Sequence, residues 1–139
     1  DPVFPPPGKK HTRQNAALDI IGFDGVSDDG AEIYNFCEQE GLKNIALVGV
    51  HTNWCILARS FGVRQMVKLG RNVVVVRDLT DALYDPREPP YVSHARGTEL
   101  VVEHIERQWC PSVESGDLIR VVPGSDGPFP ATSTERATP

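Results

Sequence analysis

Cysteine is scarce in this chain. Only Cys37, Cys55 and Cys110 occur among 139 residues, an odd set with no Cys-x-x-Cys spacing. That argues against a disulfide framework or a structural zinc site and leaves reduced thiols. No apolar run exceeds a few residues, far short of the ~20 that span a bilayer, so a membrane protein is not expected. No basic segment followed by an apolar stretch opens the chain, so no signal peptide is visible. It starts at Asp1 rather than Met, which leaves the compartment open, with the cytoplasm as the default. Lys and Arg are scattered and the formal net charge is −5, whereas nucleic-acid binding needs a clustered basic face. A Gly-x-Gly-x-x-Gly loop is absent, which sets aside a dinucleotide-binding domain. No internal repeat is apparent.

Apolar residues make up 40% of the sequence, enough for one globular domain with one core. Residues 1–17 form a Pro-rich, then basic and polar, lead-in, and residues 123–139 read as a disordered tail. Between them strands and helices alternate. Leu18 to Val26 suggests a strand broken by Gly22 and Gly25. Asp29, with Glu32 three residues on, resembles a capping box, and Gly41 is a plausible stop for that helix. Ile45 to Gly49 suits a strand covered on both faces. Asn53 to Leu69 has helical periodicity through Ile56, Leu57, Phe61 and Val67, with Gly70 closing it. The β-branched run Val73 to Val76 is the strongest strand signal. A loop rich in Asp, Pro and Tyr spans Asp78 to Ser93, a helix covers about His94 to Gln108, and Leu118 to Val122 suggests a last short strand. The expected fold is α/β, a Rossmann-like three-layer arrangement with a parallel sheet and helices on both faces. Ligands of such sheets bind beyond the carboxyl ends of the strands, here the turns after Gly49 and Val76.

Cys55 falls in the first of those turns. Unpaired N–H groups and the helix dipole at a helix start stabilise negative charge, which would favour the nucleophilic thiolate and could receive an oxyanion. On position alone, a half-buried structural cysteine is the simpler reading. By the same strand-end rule, the 78–93 loop should border the Cys55 cleft, with Asp78 near its base and Tyr84 a candidate rim residue. His94 and His104 read as helix-surface residues.

The local sequence shifts that balance. Gly49-Val50-His51-Thr52-Asn53-Trp54-Cys55 resembles the nucleophile turn of isochorismatase-like hydrolases, which include nicotinamidases, where the usual form is Gly-Val-x-Thr-Asp-x-Cys. The strand from Val73, ending in Asp78-Leu79-Thr80-Asp81, is similar to that family's next strand. The resemblance runs from about Leu18 to Trp109 and is specific from Ala46 to Asp81. It implies that Cys55 attacks a carbonyl carbon to form a thioester that water hydrolyses. The Val50–His51 bond matches the family's cis non-proline peptide, which would place the His51 N–H beside that of Cys55 as an oxyanion hole. Thr52 and Asn53 would shape and cap the turn.

The sequence also departs from the family. Asn53 stands at its acidic position, keeping an oxygen without the charge, and the His51 imidazole could bind substrate or point away. The family triad is Asp, Lys and Cys. Its Asp closes a first strand that would precede Asp1, so the chain reads as the C-terminal part of such a domain, without the N-terminal strands. The lysine's expected place, Phe23 to Asp28, holds none; Lys9, Lys10 and Arg13 lie upstream. No metal can be assigned, and no cofactor is required as far as the residues show. The leading expectation is hydrolysis of a C–N amide-type bond in a small molecule, by a full-length protein that forms a homo-oligomer, with this chain alone inactive. The alternative is a non-catalytic relative serving as a binding or assembly module.

Overall fold

In the computed structural model, which describes residues 15–22 and 24–121, the first helix, α1 (Gly30–Gln39), starts where the sequence places it. The Asp29 carboxylate accepts from the Ala31 and Glu32 N–H groups, satisfying two of the orphan donors of a helix start. The return half of the box is rerouted: Ser27 Oγ donates to Glu32 and accepts from the Asp29 N–H. At the other end Leu42 N–H bonds to Cys37 O and Gly41 N–H to Glu38 O, a Schellman closure.

Strands β1 (Asn44–Val50), β2 (Asn72–Asp81) and β3 (Ser112–Val113) form one parallel sheet in the order β1-β2-β3. Helices α2 (Val63–Lys68) and α3 (His94–Gln108) provide the crossovers, and α4 (Ser115–Val121) follows β3. The fold is therefore α/β, built on parallel strands. Ile45 and Leu47 of β1 and Val73 and Val75 of β2 share one face. They pack with Ile33 of α1, Val63 and Met66 of α2, Ile105 of α3, and Ile56 and Leu57. Burying each of the larger members stabilises the fold by about 1.5–3 kcal/mol. Residues 1–14, 122–139 and Phe23 lie outside the described residues, and with them most of the lead-in and the tail.

Four expectations need correction. Leu18–Val26 is not a strand among its described residues. Asn15 holds Ala17 and Leu18, and the Asp24 carboxylate accepts from Ile21 N–H, so local turns replace a ladder. β1 is not covered on both faces: its residues alternate, with Val48 53% and Val50 59% exposed. The Asn53–Leu69 helix is broken at residues 59–62. A Cβ on Gly62 would lie 2.7 Å from Ile56 O, so the chain folds back on its own previous turn there. Leu118–Val121 belongs to helix α4 rather than a strand, because Asp78 caps its first residue from across the sheet.

Candidate active site

The ladder between β1 and β2 is in simple register from Asn44↔Asn72 to Leu47↔Val75, then jumps to Gly49↔Thr80 and Val50↔Asp81. β2 thus sets residues 76–79 against the single residue Val48. This brings Thr80 and Asp81, rather than Val76, level with the carboxyl end of β1. The strand takes in the first four residues of the expected loop, Asp78 to Asp81. Gly49 has φ +102°, which a side chain would strain. The next peptide, Val50–His51, is cis.

Cys55 sits just beyond, in a five-residue π-helical turn, Thr52–Ile56, where Ile56 N–H reaches back to His51 O at 3.1 Å. The turn is fastened at two points. Thr80 Oγ1 donates to Gly49 O at 2.7 Å. A hydroxyl has one proton, so Thr52, fully buried, must donate to Thr80 Oγ1, 2.7 Å away. The Asn53 amide uses both halves on one residue of the following loop, accepting from Leu83 N–H at 2.9 Å and donating to Leu83 O at 3.0 Å. Neither side chain caps the turn, contrary to expectation: His51 is the N-cap residue, with no side-chain cap bond.

The three cysteines are free and differ in access. Cys37 and Cys110 are buried, at 7% and 6% exposure, and burial pushes the Cys110 thiol up to about 11. Cys55 is half-buried. Among the described residues no group of three or more His, Cys, Asp or Glu converges as a metal site, and no helix is long and apolar enough to cross a membrane.

Val50, His51, Thr52, Asn53 and Cys55 come together in one turn, and the loop after β2 is joined to it through Leu83. Asp78 and Tyr84 are committed elsewhere. The Asp78 carboxylate accepts from the Ser115 N–H and hydroxyl on the β3 side of β2, which holds it below the usual carboxylate range. The Tyr84 hydroxyl lies inside its own loop, against the backbone of Glu88 and Val92. What sequence reasoning missed is the group around Asp81. His94 opens α3 with Nε2 2.8 Å from Asp81 Oδ1 and Nδ1 2.8 Å from Tyr84 O, and Thr98 Oγ1 donates to the same Asp81 oxygen. The Thr98 hydrogen bond, then that of His94, keeps Asp81 below the usual carboxylate range. Hydrogen bonding to Asp81, then to Tyr84 O, raises His94 above the usual imidazole value. Ser93 as a helix cap could have flagged an exposed His at the helix start facing the end of β2.

No protein-family model matches the chain, and no curated protein does. A crystal structure of a cysteine hydrolase from Pseudomonas syringae pv. phaseolicola is similar over 64% of this chain, with TM-score 0.54 and 19% sequence identity. The likeness is one of fold. This chain spans 41% of that protein's length.

Proposed function

We propose that the chain carries the nucleophile of a cysteine hydrolase of the isochorismatase-like, nicotinamidase-related kind, acting on a C–N amide-type bond of a small molecule. The observation that carries this reading is the position of Cys55: a half-buried thiol in a π-helical turn at the carboxyl ends of parallel strands, fastened at Thr52 and Asn53. The fold likeness to a protein described as a cysteine hydrolase supports it. Cys55 Sγ would attack the carbonyl carbon, with the oxyanion received by the His51 and Cys55 N–H groups. The C–N bond then breaks, the amine leaves with a proton, and water hydrolyses the thioester to the acid and free thiol.

That proton needs a donor. The described lysines, Lys43 and Lys68, precede β1 and β2 at the opposite ends of the strands from Cys55. Loss of an acid–base partner typically costs on the order of 10²–10⁴-fold in rate, so turnover that rests on the described residues alone should be slow. A specific observation favours a second reading, a non-catalytic binding module: Asn53, at the family's acidic position, serves as a strut to Leu83. The test is release of ammonia or amine from a panel of small amides. Slow release abolished by Cys55→Ala supports hydrolysis, and binding without release supports the module.

A further inference from the structure

Both neighbours of the His94 ring are acceptors. Tyr84 O is a backbone carbonyl, so Nδ1 must carry a proton to bond at 2.8 Å. Asp81 is ionised, so Nε2 must carry one as well. A neutral imidazole has a single N–H and satisfies one partner while turning a lone pair on the other. The geometry is therefore built for the imidazolium. It is assembled at the first residue of α3, where the helix dipole disfavours a cation, so the carboxylate has to outweigh that term.

The partners tie three elements together. Asp81 ends β2, Tyr84 lies in the loop of residues 82–93, and Thr98, one turn along α3, donates to Asp81 and accepts from Ala82 N–H at 3.1 Å. The next residue of the loop, Leu83, is held by Asn53 of the Cys55 turn. The Tyr84 ring also stacks on His94, with centroids 6.3 Å apart. Other charged groups face the same cleft: Arg77 from β2 and Glu99 from α3. Arg77 is ion-paired to Glu99, Glu106 and Glu114, so Asp81 is the carboxylate left to His94. Asp85, also in the loop, is paired with Arg87.

We propose that His94 is a positioning residue: as an imidazolium it latches the 82–93 loop to β2 and α3, holding Leu83 against the Cys55 turn, and the latch opens when His94 loses its proton. The latch is a property of the loop and stands whether or not Cys55 cleaves amides. Only its consequence, a catalytic turn that loosens at alkaline pH, rests on the proposed function.

The sign follows from the two shifts. A raised His94 gives a contribution fully present below its unfolded value of about 6.5 and lost as pH rises through its folded value. A depressed Asp81 gives one present above about 3.9 and lost as pH falls through its folded value. The latch is closed between them.

The experiment is an NMR titration of the whole chain from pH 5 to 9, reading the His94 ring nitrogens and hydrogen exchange at Leu83 N–H, corrected for the intrinsic pH dependence of exchange. Both ring nitrogens should be protonated below a midpoint above about 6.5. Leu83 exchange should accelerate through that same midpoint by about fivefold, the factor expected for one ordinary hydrogen bond. Asp81→Asn should lower both midpoints together, and His94→Gln should remove the step. The wild-type titration stands alone if either variant fails to fold. A His94 midpoint at or below 6.5, or Leu83 exchange unmoved while His94 titrates, overturns the latch. Amide-hydrolysis assays have no bearing on either readout.

Discussion

Gly97→Ala should change sign with its surroundings. Gly97 is buried in the second turn of α3, where alanine is the better helix former by about 0.8–1.0 kcal/mol. A Cβ built there would lie 2.3 Å from Tyr84 Cδ1 and 2.6 Å from Cε1, while carbon atoms rest about 3.5–4.0 Å apart. The ring cannot turn away freely, because its hydroxyl is held by the backbone of Glu88 and Val92. Overpacking of this kind costs about 1–3 kcal/mol, so after the propensity gain the clash should win by up to about 2 kcal/mol. For a chain of this length that lowers Tm by up to about 7 °C. In a Tyr84→Ala background the obstacle is gone, and the same Gly97→Ala change should stabilise by up to about 1 kcal/mol. The assay is a double-mutant cycle by thermal and urea unfolding of the four proteins. Equal costs for Gly97→Ala in both backgrounds would show that the Tyr84 ring does not lie over Gly97, and the loop's seat on α3 would have to be redrawn.

Other consequences are open to direct measurement. Limiting iodoacetamide at pH 8 should alkylate Cys55 before Cys37 and Cys110, since a thiol at about 11 is thiolate only to about one part in a thousand there; peptide mass spectrometry that finds Cys110 labelled first contradicts the burial. Asn53→Ala should raise Leu83 N–H exchange about fivefold, for loss of one hydrogen bond, without touching the Val73–Val76 amides. Asp78→Asn should speed exchange in α4. In the wild type the same loosening should appear only as pH falls below about 3.9 and through the depressed Asp78 value, because a lowered carboxylate stabilises above its unfolded value and not below its folded one.

Features written into neighbouring residues were legible in the sequence. Asp29 and Gly41 bracket α1, the Val73–Val76 run marks β2, and Gly97, Val101, Ile105 and Trp109, each one helical turn from the next, mark α3 from His94 to Gln108. The turn from Gly49 to Cys55 was legible as a motif. What failed depends on contacts between residues far apart. The break before α2 is imposed where the chain folds back at Gly62 and where Gly30 packs on Ser60, its N–H on the Ser60 hydroxyl at 3.1 Å. Residues 118–121 become helix because Asp78, 37 positions upstream of Ser115, supplies the cap. The Asp81–His94 pair was missed for a related reason. The register jump after Leu47 carries β2 on to Asp81, and no periodicity announces three extra residues in one strand of a parallel pair.

Cys55 is proposed to form a thioester with a small amide. The most direct measurement is acid-quenched mass spectrometry of the Cys55 peptide during reaction with a panel of small carboxamides and anilides. An acyl mass increment on Cys55 that hydroxylamine removes, absent in Cys55→Ala, is the expected result. Amide consumption at the same rate in Cys55→Ala, or an acyl group carried on another residue, would contradict it.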